Sequence, residues 1–330
     1  MEKLKNLTKQ SEFKRKIVIV IALIVLLLAF GIINPAYLSY NNIMTILLAT
    51  STNGLLAFAV SWPIMTAGID ISVGTVMTFS CVLSGVAFNS AGLPIGLCII
   101  LGILVGTFCG FLNGFMSAKL GLPPMIASLA MQMITKGLSL VISGCKPVYF
   151  TGCSWYQKIA TGNFLGINGF YNAIIILLGM CVVSYIIFSK TIFGRYTLAI
   201  GSNAEATRLS GINTDNWQIG VYTLCGTYAG IAGLVLSSRL NSAQPALGPG
   251  YEMDAIAAAV IGGNSLMGGE GTIIGTLIGA LIISSLQNGL RIMQISTETQ
   301  YAIIGVVLIL TVAFDQRRKK RKKVAGKSNA

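Results

Sequence analysis

Residues 17–33 read IVIVIALIVLLLAFGII, seventeen consecutive positions without a charge or a polar side chain. A membrane crossing needs about 20 mostly apolar residues, and this run comes close to that length. Asn34-Pro35 follows it and no small-residue cleavage site appears, so the run reads as a first transmembrane helix rather than a cleavable leader. Working outward, similar apolar segments lie at roughly 43–66, 71–88, 94–116, 123–143, 171–188, 217–238, 254–264, 271–289 and 299–314, about ten in all. The segment 254–264 is short for a crossing and is expected to be a broken or re-entrant helix. The chain is 54% hydrophobic and only 10% charged, whereas soluble domains carry about 25% charged residues. It reads as an all-α polytopic membrane protein.

The charges concentrate at the two ends. Residues 1–16 and 315–330 supply eleven of the thirteen net positive charges. This divides the chain into a basic tail (1–16), a transmembrane body (17–314) and a second basic tail (315–330). Lys and Arg near span ends mark the cytoplasmic side. With both termini there, the cytoplasm takes eighteen basic residues, including Lys119, Lys190, Arg195 and Arg208. The outside takes four: Lys146, Lys158, Arg239 and Arg291. The run Arg317–Lys323 reads as an anchor to anionic lipid. Two basic tails without a basic folded face argue against nucleic-acid binding.

No histidine is present, which removes the commonest general base and metal ligand. No metal site or cofactor is expected, nor is a membrane-embedded enzyme, for want of a nucleophile–base or metal-ligand cluster. Five cysteines (Cys81, Cys98, Cys109, Cys181, Cys225) sit in apolar runs and read as small buried side chains. Cys145 and Cys153 share the outward segment 144–170, where they either pair or stay free; Trp155 and Tyr156 there offer a docking surface.

The inward segment 189–216 contains Gly201-Ser202-Asn203-Ala204-Glu205-Ala206-Thr207-Arg208-Leu209-Ser210-Gly211. Ser202 and Glu205 have capping-box spacing, and Gly211 stands where a left-handed terminator is expected, so a short cytoplasmic helix is predicted. Such a helix needs something to pack against, either its own protein or a partner. The chain lacks the G-x-x-x-x-G-K-[ST] phosphate loop, so an ATP motor would be another polypeptide.

Glycine recurs with period four at Gly102, Gly106, Gly110 and Gly114, and again at Gly271, Gly275 and Gly279. Stacked small residues let helices approach closely in lipid. Both stretches read Gly-x-x-x-Gly-Thr-x-x-Gly and run in opposite directions across the membrane, the trace of an inverted repeat. Asp70, Glu252 and Asp254 stand at span starts, where helix capping explains them. Lys136 is the one charge well inside a span and reads as snorkelling or paired with an outer carboxylate. Asn53, Asn113, Gln132, Gln287 and Asn288 lie within spans and suit either hydroxyl-bearing solutes or inter-helix hydrogen bonds. Asp70, Asn53, Gln132, Glu252, Asp254, Gln287 and Asn288 are the gating and pathway candidates.

Gly68-Ile69-Asp70-Ile71-Ser72-Val73-Gly74 resembles the G-[GI]-D-L-S-V-G signature of permease subunits of monosaccharide ABC importers, the ribose and xylose group. Arg239–Pro245, Gly250–Ala258, Gly262–Gly269, Gly271–Gly279 and Gln287–Leu290 are similar to that group's most recognisable segments. The resemblance spans roughly 17–315. It implies a ten-helix permease fold like that of vitamin B12-type importers, two permease subunits with two ATPase domains, and an extracytoplasmic sugar-binding protein. Whether the two permeases are identical is open, with a homodimer expected. The resemblance makes Asn203–Gly211 the coupling helix to the ATPase, with Ser202, Asn203, Glu205, Arg208, Leu209 and Gly211 its key residues. It also implies a bacterial cell membrane location. Glu270 departs from the basic or small residue frequent at that turn. Related permeases carry nucleosides or branched-chain amino acids, and a stand-alone secondary transporter would need an intramembrane coupling carboxylate that the span interiors lack.

Overall fold

The computed structural model describes residues 2–310 and 313, with side chains from Ile17 onward. The basic tail 315–330 with its run Arg317–Lys323, and most of 311–314, lie outside the described residues, as do the side chains of 1–16. The helices are α1 (Glu2–Ile33), α2 (Tyr40–Met65), α3 (Val73–Ala91), α4 (Ile95–Ala118), α5 (Pro124–Ser143), α6 (Ser154–Thr161), α7 (Asn172–Lys190), α8 (Ile192–Ser202), α9 (Ala204–Leu209), α10 (Thr214–Leu240), α11 (Tyr251–Ile261) and α12 (Ile273–Ile292), followed by α13 (Thr297–Leu310). A two-residue antiparallel ribbon pairs β1 (Val148–Tyr149) with β2 (Ser242–Ala243).

Among the described residues, seven helices (α2, α3, α4, α5, α7, α10 and α12) are long and apolar enough to cross a membrane. The chain is a polytopic membrane protein. Against about ten expected spans, the remaining three are shorter. Ile17–Ile33 and Thr297–Leu310 are apolar stretches below full length, and α11 has eleven residues. The reason α11 is short is local: Gly248, Pro249 and Gly250 precede it, and Gly250 sits at φ 104°, a conformation favouring glycine. The first helix is continuous from Glu2, so the expected N-terminal tail is helical backbone.

Contacts sort the helix ends onto two faces. On one, Gly269 N–H donates to the Met65 carbonyl at 3.0 Å, and Lys119 pairs with Asp215 at 3.1 Å. On the other, Asn89 Nδ2 donates to the Tyr149 carbonyl at 2.7 Å and Tyr40 Oη to the Asn168 carbonyl at 2.8 Å. The second face carries the 144–170 segment, which is folded rather than open loop: β1, α6 and a 3-10 turn at Phe164–Gly166. Tyr156 anchors it, its hydroxyl 2.7 Å from Ser237 Oγ and its ring 4.3 Å from that of Phe150. Cys145 and Cys153 are both free, Cys145 exposed and Cys153 buried. Lys136 is exposed on α5 and makes no ion pair among the described residues.

The glycine stripes sit at the closest crossings. In α4, a Cβ on Gly106 would stand 2.8 Å from Gly230 N, and one on Gly110 2.9 Å from Gly226 Cα, both in α10. In α12, Gly275 and Gly279 press on Gly262 and the Ala258 carbonyl at the end of α11. Thr107 and Thr276 hold the same place in the two glycine stretches and make matching bonds. Thr107 Oγ1 lies 2.9 Å from Thr227 Oγ1 of α10; Thr276 Oγ1 lies 3.1 Å from Ser61 Oγ of α2. Helix contacts also correspond when α2 exchanges with α10, α3 with α11 and α4 with α12: α4 packs on α10 and α3, and α12 packs on α2 and α11.

Candidate functional site: a polar cavity and an exposed short helix

Polar residues cost free energy inside a bundle unless they are hydrogen-bonded or line a cavity. Here they do both. A cavity of about 300 Å³ lies between α2, α10, α11, α12 and α13, at the lower end of small-molecule sites. Its floor is formed by Gly250, Tyr251 and Asp254 at the start of α11, and Asn53 and Gln287 stand on its walls. Arg239, Arg291 and Tyr301 line it toward the face bearing the 144–170 segment. Gln287 Nε2 donates to Asp254 Oδ2 at 2.8 Å. Asn53 Nδ2 donates to Gln287 Oε1 at 3.5 Å and to Ser284 Oγ at 3.4 Å.

Of the seven pathway candidates, three (Asn53, Asp254 and Gln287) meet in this cavity. The others lie elsewhere. Glu252, two residues before Asp254, faces away from it, as a two-residue step on a helix turns a side chain by about 200°. Its Oε1 accepts from Gln132 Nε2 at 3.2 Å, tying α11 to α5, and its Oε2 accepts from Gly250 N–H at 3.0 Å. Asn288 is buried, with Oδ1 lacking a hydrogen-bond partner among the described residues. Asp70 is 2% exposed in the turn before α3 and accepts from Ser72 N–H (2.9 Å), Ser72 Oγ (2.6 Å), Asn113 Nδ2 (3.2 Å) and Cys225 Sγ (3.7 Å). It binds the start of α3 to α4 and α10. Gly74, the last residue of the same signature, leaves room for the Gly248–Glu252 elbow: a Cβ there would meet Glu252 Oε2 at 2.8 Å.

Sequence reasoning passed over Arg239, Arg291, Tyr251 and Tyr301. The signal was present, since charges are scarce in this chain and both arginines stand at span ends. What was missing was the knowledge that those two ends adjoin.

The helix in the inward segment is α9, six residues long. The expected capping box is corrected. Ser202 is the last residue of α8, and the cap is Asn203, whose Oδ1 accepts from Ala206 N–H at 3.0 Å. The chain turns at Asn203 because α8 is immobilised just before it: a Cβ on Gly201 would collide with the Met65 carbonyl and lie 2.6 Å from Gly269 N. Aromatic contacts fix the other end of α8, with Phe193 between Trp62 (5.6 Å) and Trp217 (5.7 Å). Glu205 pairs with Arg208 at 2.8 Å instead of capping, an exposed pair of small energetic value. Gly211 follows the helix at φ 84°. Of the residues of α9 only Thr207 is buried, and Leu209 is 78% exposed. Asn203→Ala should therefore lower the stability of this turn by about 1 kcal/mol, whereas Ser202→Ala should leave it unchanged; backbone amide exchange of 204–209 is the check.

A family model described as "Branched-chain amino acid transport system / permease component" matches residues 42–312. The chain belongs to this permease family. It is 42% identical to the ribose import permease protein RbsC of Bacillus subtilis over 90% of this chain and 92% of that protein. It is 35% identical to the fructose import permease protein FrcC of Rhizobium meliloti, over 90% of this chain and 84% of that one. It is 36% identical to the L-arabinose transport system permease protein AraH of Escherichia coli, over 91% and 90%.

Proposed function

We propose that this chain is the membrane-spanning permease subunit of an ATP-driven importer, passing a monosaccharide inward through the bundle. The observation that carries this is its similarity, across about nine-tenths of its length, to import permeases named for ribose, fructose and arabinose. Those names favour a monosaccharide over a nucleoside or a branched-chain amino acid. The chain is a transport component, not an enzyme; ATP hydrolysis belongs to a separate subunit. Its place is the bacterial cell membrane, which agrees with seven helices able to cross one.

The reading extends to ten crossings with both termini cytoplasmic, made up of the seven long helices with α1, α11 and α13. Support comes from the two-face grouping of helix ends and from the concentration of Lys and Arg in the two terminal tails of the sequence. The matching Thr107 and Thr276 bonds support an inverted repeat, as expected for a vitamin B12-type permease fold. On this reading α9 docks the ATPase, the 144–170 face receives the sugar-binding protein, and a second copy of the chain completes the translocation unit.

Affinity purification of the chain from its native membranes in mild detergent tests the proposal. Recovery of an ATPase with nucleotide-binding motifs is the expected result. Leu209→Asp places a charge on the exposed tip of α9 and should reduce that recovery at least tenfold with membrane insertion unchanged. Recovery of the chain alone, under conditions that preserve other importer complexes, would overturn the reading.

A further inference from the structure

The cavity at the start of α11 has a lining with a definite chemistry. Gln287 fills one carboxylate oxygen of Asp254, Oδ2, and no other hydrogen bond reaches that carboxylate among the described residues. Gln287 is in turn held by Asn53. The donors Asn53 and Gln287, in sequence, thus fix the Asp254 carboxylate in the cavity lining and leave its second oxygen to accept. Arg239 and Arg291 line the same space, and neither forms an ion pair among the described residues. A guanidinium offers five donors in a planar fork. Tyr251 and Tyr301 add rings with polar tips.

We infer that this cavity is a polyol-recognition site within the permease itself, in which Asp254 accepts hydrogen bonds from sugar hydroxyls and Arg239 and Arg291 donate to sugar oxygens. The inference rests on the proposed monosaccharide function and adds that the permease, and not only a binding protein, selects the solute. Vicinal hydroxyls present donors and acceptors in alternation, which suits one fixed acceptor among several donors. An aliphatic amino acid could place its charged groups on Asp254 and the arginines. Its side chain would then lie in a lining that includes Thr52, whose buried hydroxyl has no hydrogen-bond partner among the described residues and would be left unpaired.

The test uses the chain with its ATPase in lipid nanodiscs, without binding protein. Equilibrium binding of radiolabelled D-ribose is measured with D-fructose, L-arabinose and L-leucine as competitors. Saturable sugar binding, displaced by the sugars and not by leucine, is expected. Asp254→Asn should weaken it at least tenfold, and Met253→Ala, an exposed neighbour outside the cavity, should not. The decisive readout is a deoxy-sugar series. Removing the hydroxyl that Asp254 accepts should weaken binding to the wild type about tenfold and leave binding to Asp254→Asn unaltered, a pattern that a purely structural role would not produce. Should Asp254→Asn not assemble, Arg291→Gln at the rim replaces it, with severalfold weakening expected. Displacement by leucine in preference to sugars overturns the inference. Absence of saturable binding also overturns it, and sugar uptake by the intact importer with its binding protein would then show that the transport function itself stands. Failure of that uptake would overturn the functional proposal as well.

Discussion

Gly110→Leu should abolish recovery of monodisperse protein, while Gly137→Leu should behave as wild type. A Cβ on Gly110 would drive into the Tyr222 carbonyl and stand 2.9 Å from both the Cα and the amide nitrogen of Gly226. These are backbone atoms of α10, a helix of 27 residues, and they cannot rotate away as a side chain would. The two helices must therefore separate. In lipid no hydrophobic force draws them back, because the gain at the crossing comes from close packing and the Thr107–Thr227 hydrogen bond, both of which need close approach. Overpacking typically costs about 1–3 kcal/mol and occasionally more, and Leu, far larger than a single methyl group and set against backbone, belongs at the upper end. A Cβ on Gly137 meets nothing within 4 Å. Fluorescence-detected size exclusion of the two variants in detergent measures the difference; a monodisperse Gly110→Leu protein would show that the α4–α10 crossing is not the constraint described.

Asp70→Ala should be the second most damaging change. It strands the Ser72 amide and hydroxyl in a buried site, while Asn113 Nδ2 keeps its bond to Ser72 Oγ at 2.9 Å, and each unsatisfied donor costs about 1–3 kcal/mol. A loss of about 3 kcal/mol follows, read as a lowered thermal midpoint in detergent. Asp70→Asn keeps one acceptor and should lose less. The same experiment separates two roles for the signature. If Asp70 holds helices together, Asp70→Asn should reduce the amount of folded protein and leave the KM for sugar uptake unchanged. A raised KM at normal protein level would place Asp70 in the pathway instead.

Much of this architecture is legible in the residues. Apolar runs of 17 to 25 residues mark crossings because a helix must satisfy its own backbone in lipid. Glycine at a spacing of four marks one helix face, and those faces are where α4 meets α10 and where α12 meets α11. The shortness of the eighth segment is readable from its length, and the structure adds Pro249 and Gly250 as the local reason. The cap of α9 lies one residue beyond the position that the Ser202–Glu205 spacing predicts, since Ser202 and Asn203 are both competent caps. The choice between them depends on where α8 is held, by Met65 and Gly269, residues far away in the chain.

The sequence by itself determined the number and order of apolar segments, the faces of the helices that must approach closely, the charge asymmetry and the family signature. All of these are local, being set by composition, by period or by contiguous residues. Which polar side chains meet is set only when the helices pack. Asn53 and Gln287 are 234 positions apart, and Asp70 and Cys225 are 155 apart. A helical period tells which face a residue occupies, but not which other helix crosses that face or at what height. That is set by the whole set of close crossings together, so the cavity exists only once α2, α10, α11, α12 and α13 have packed.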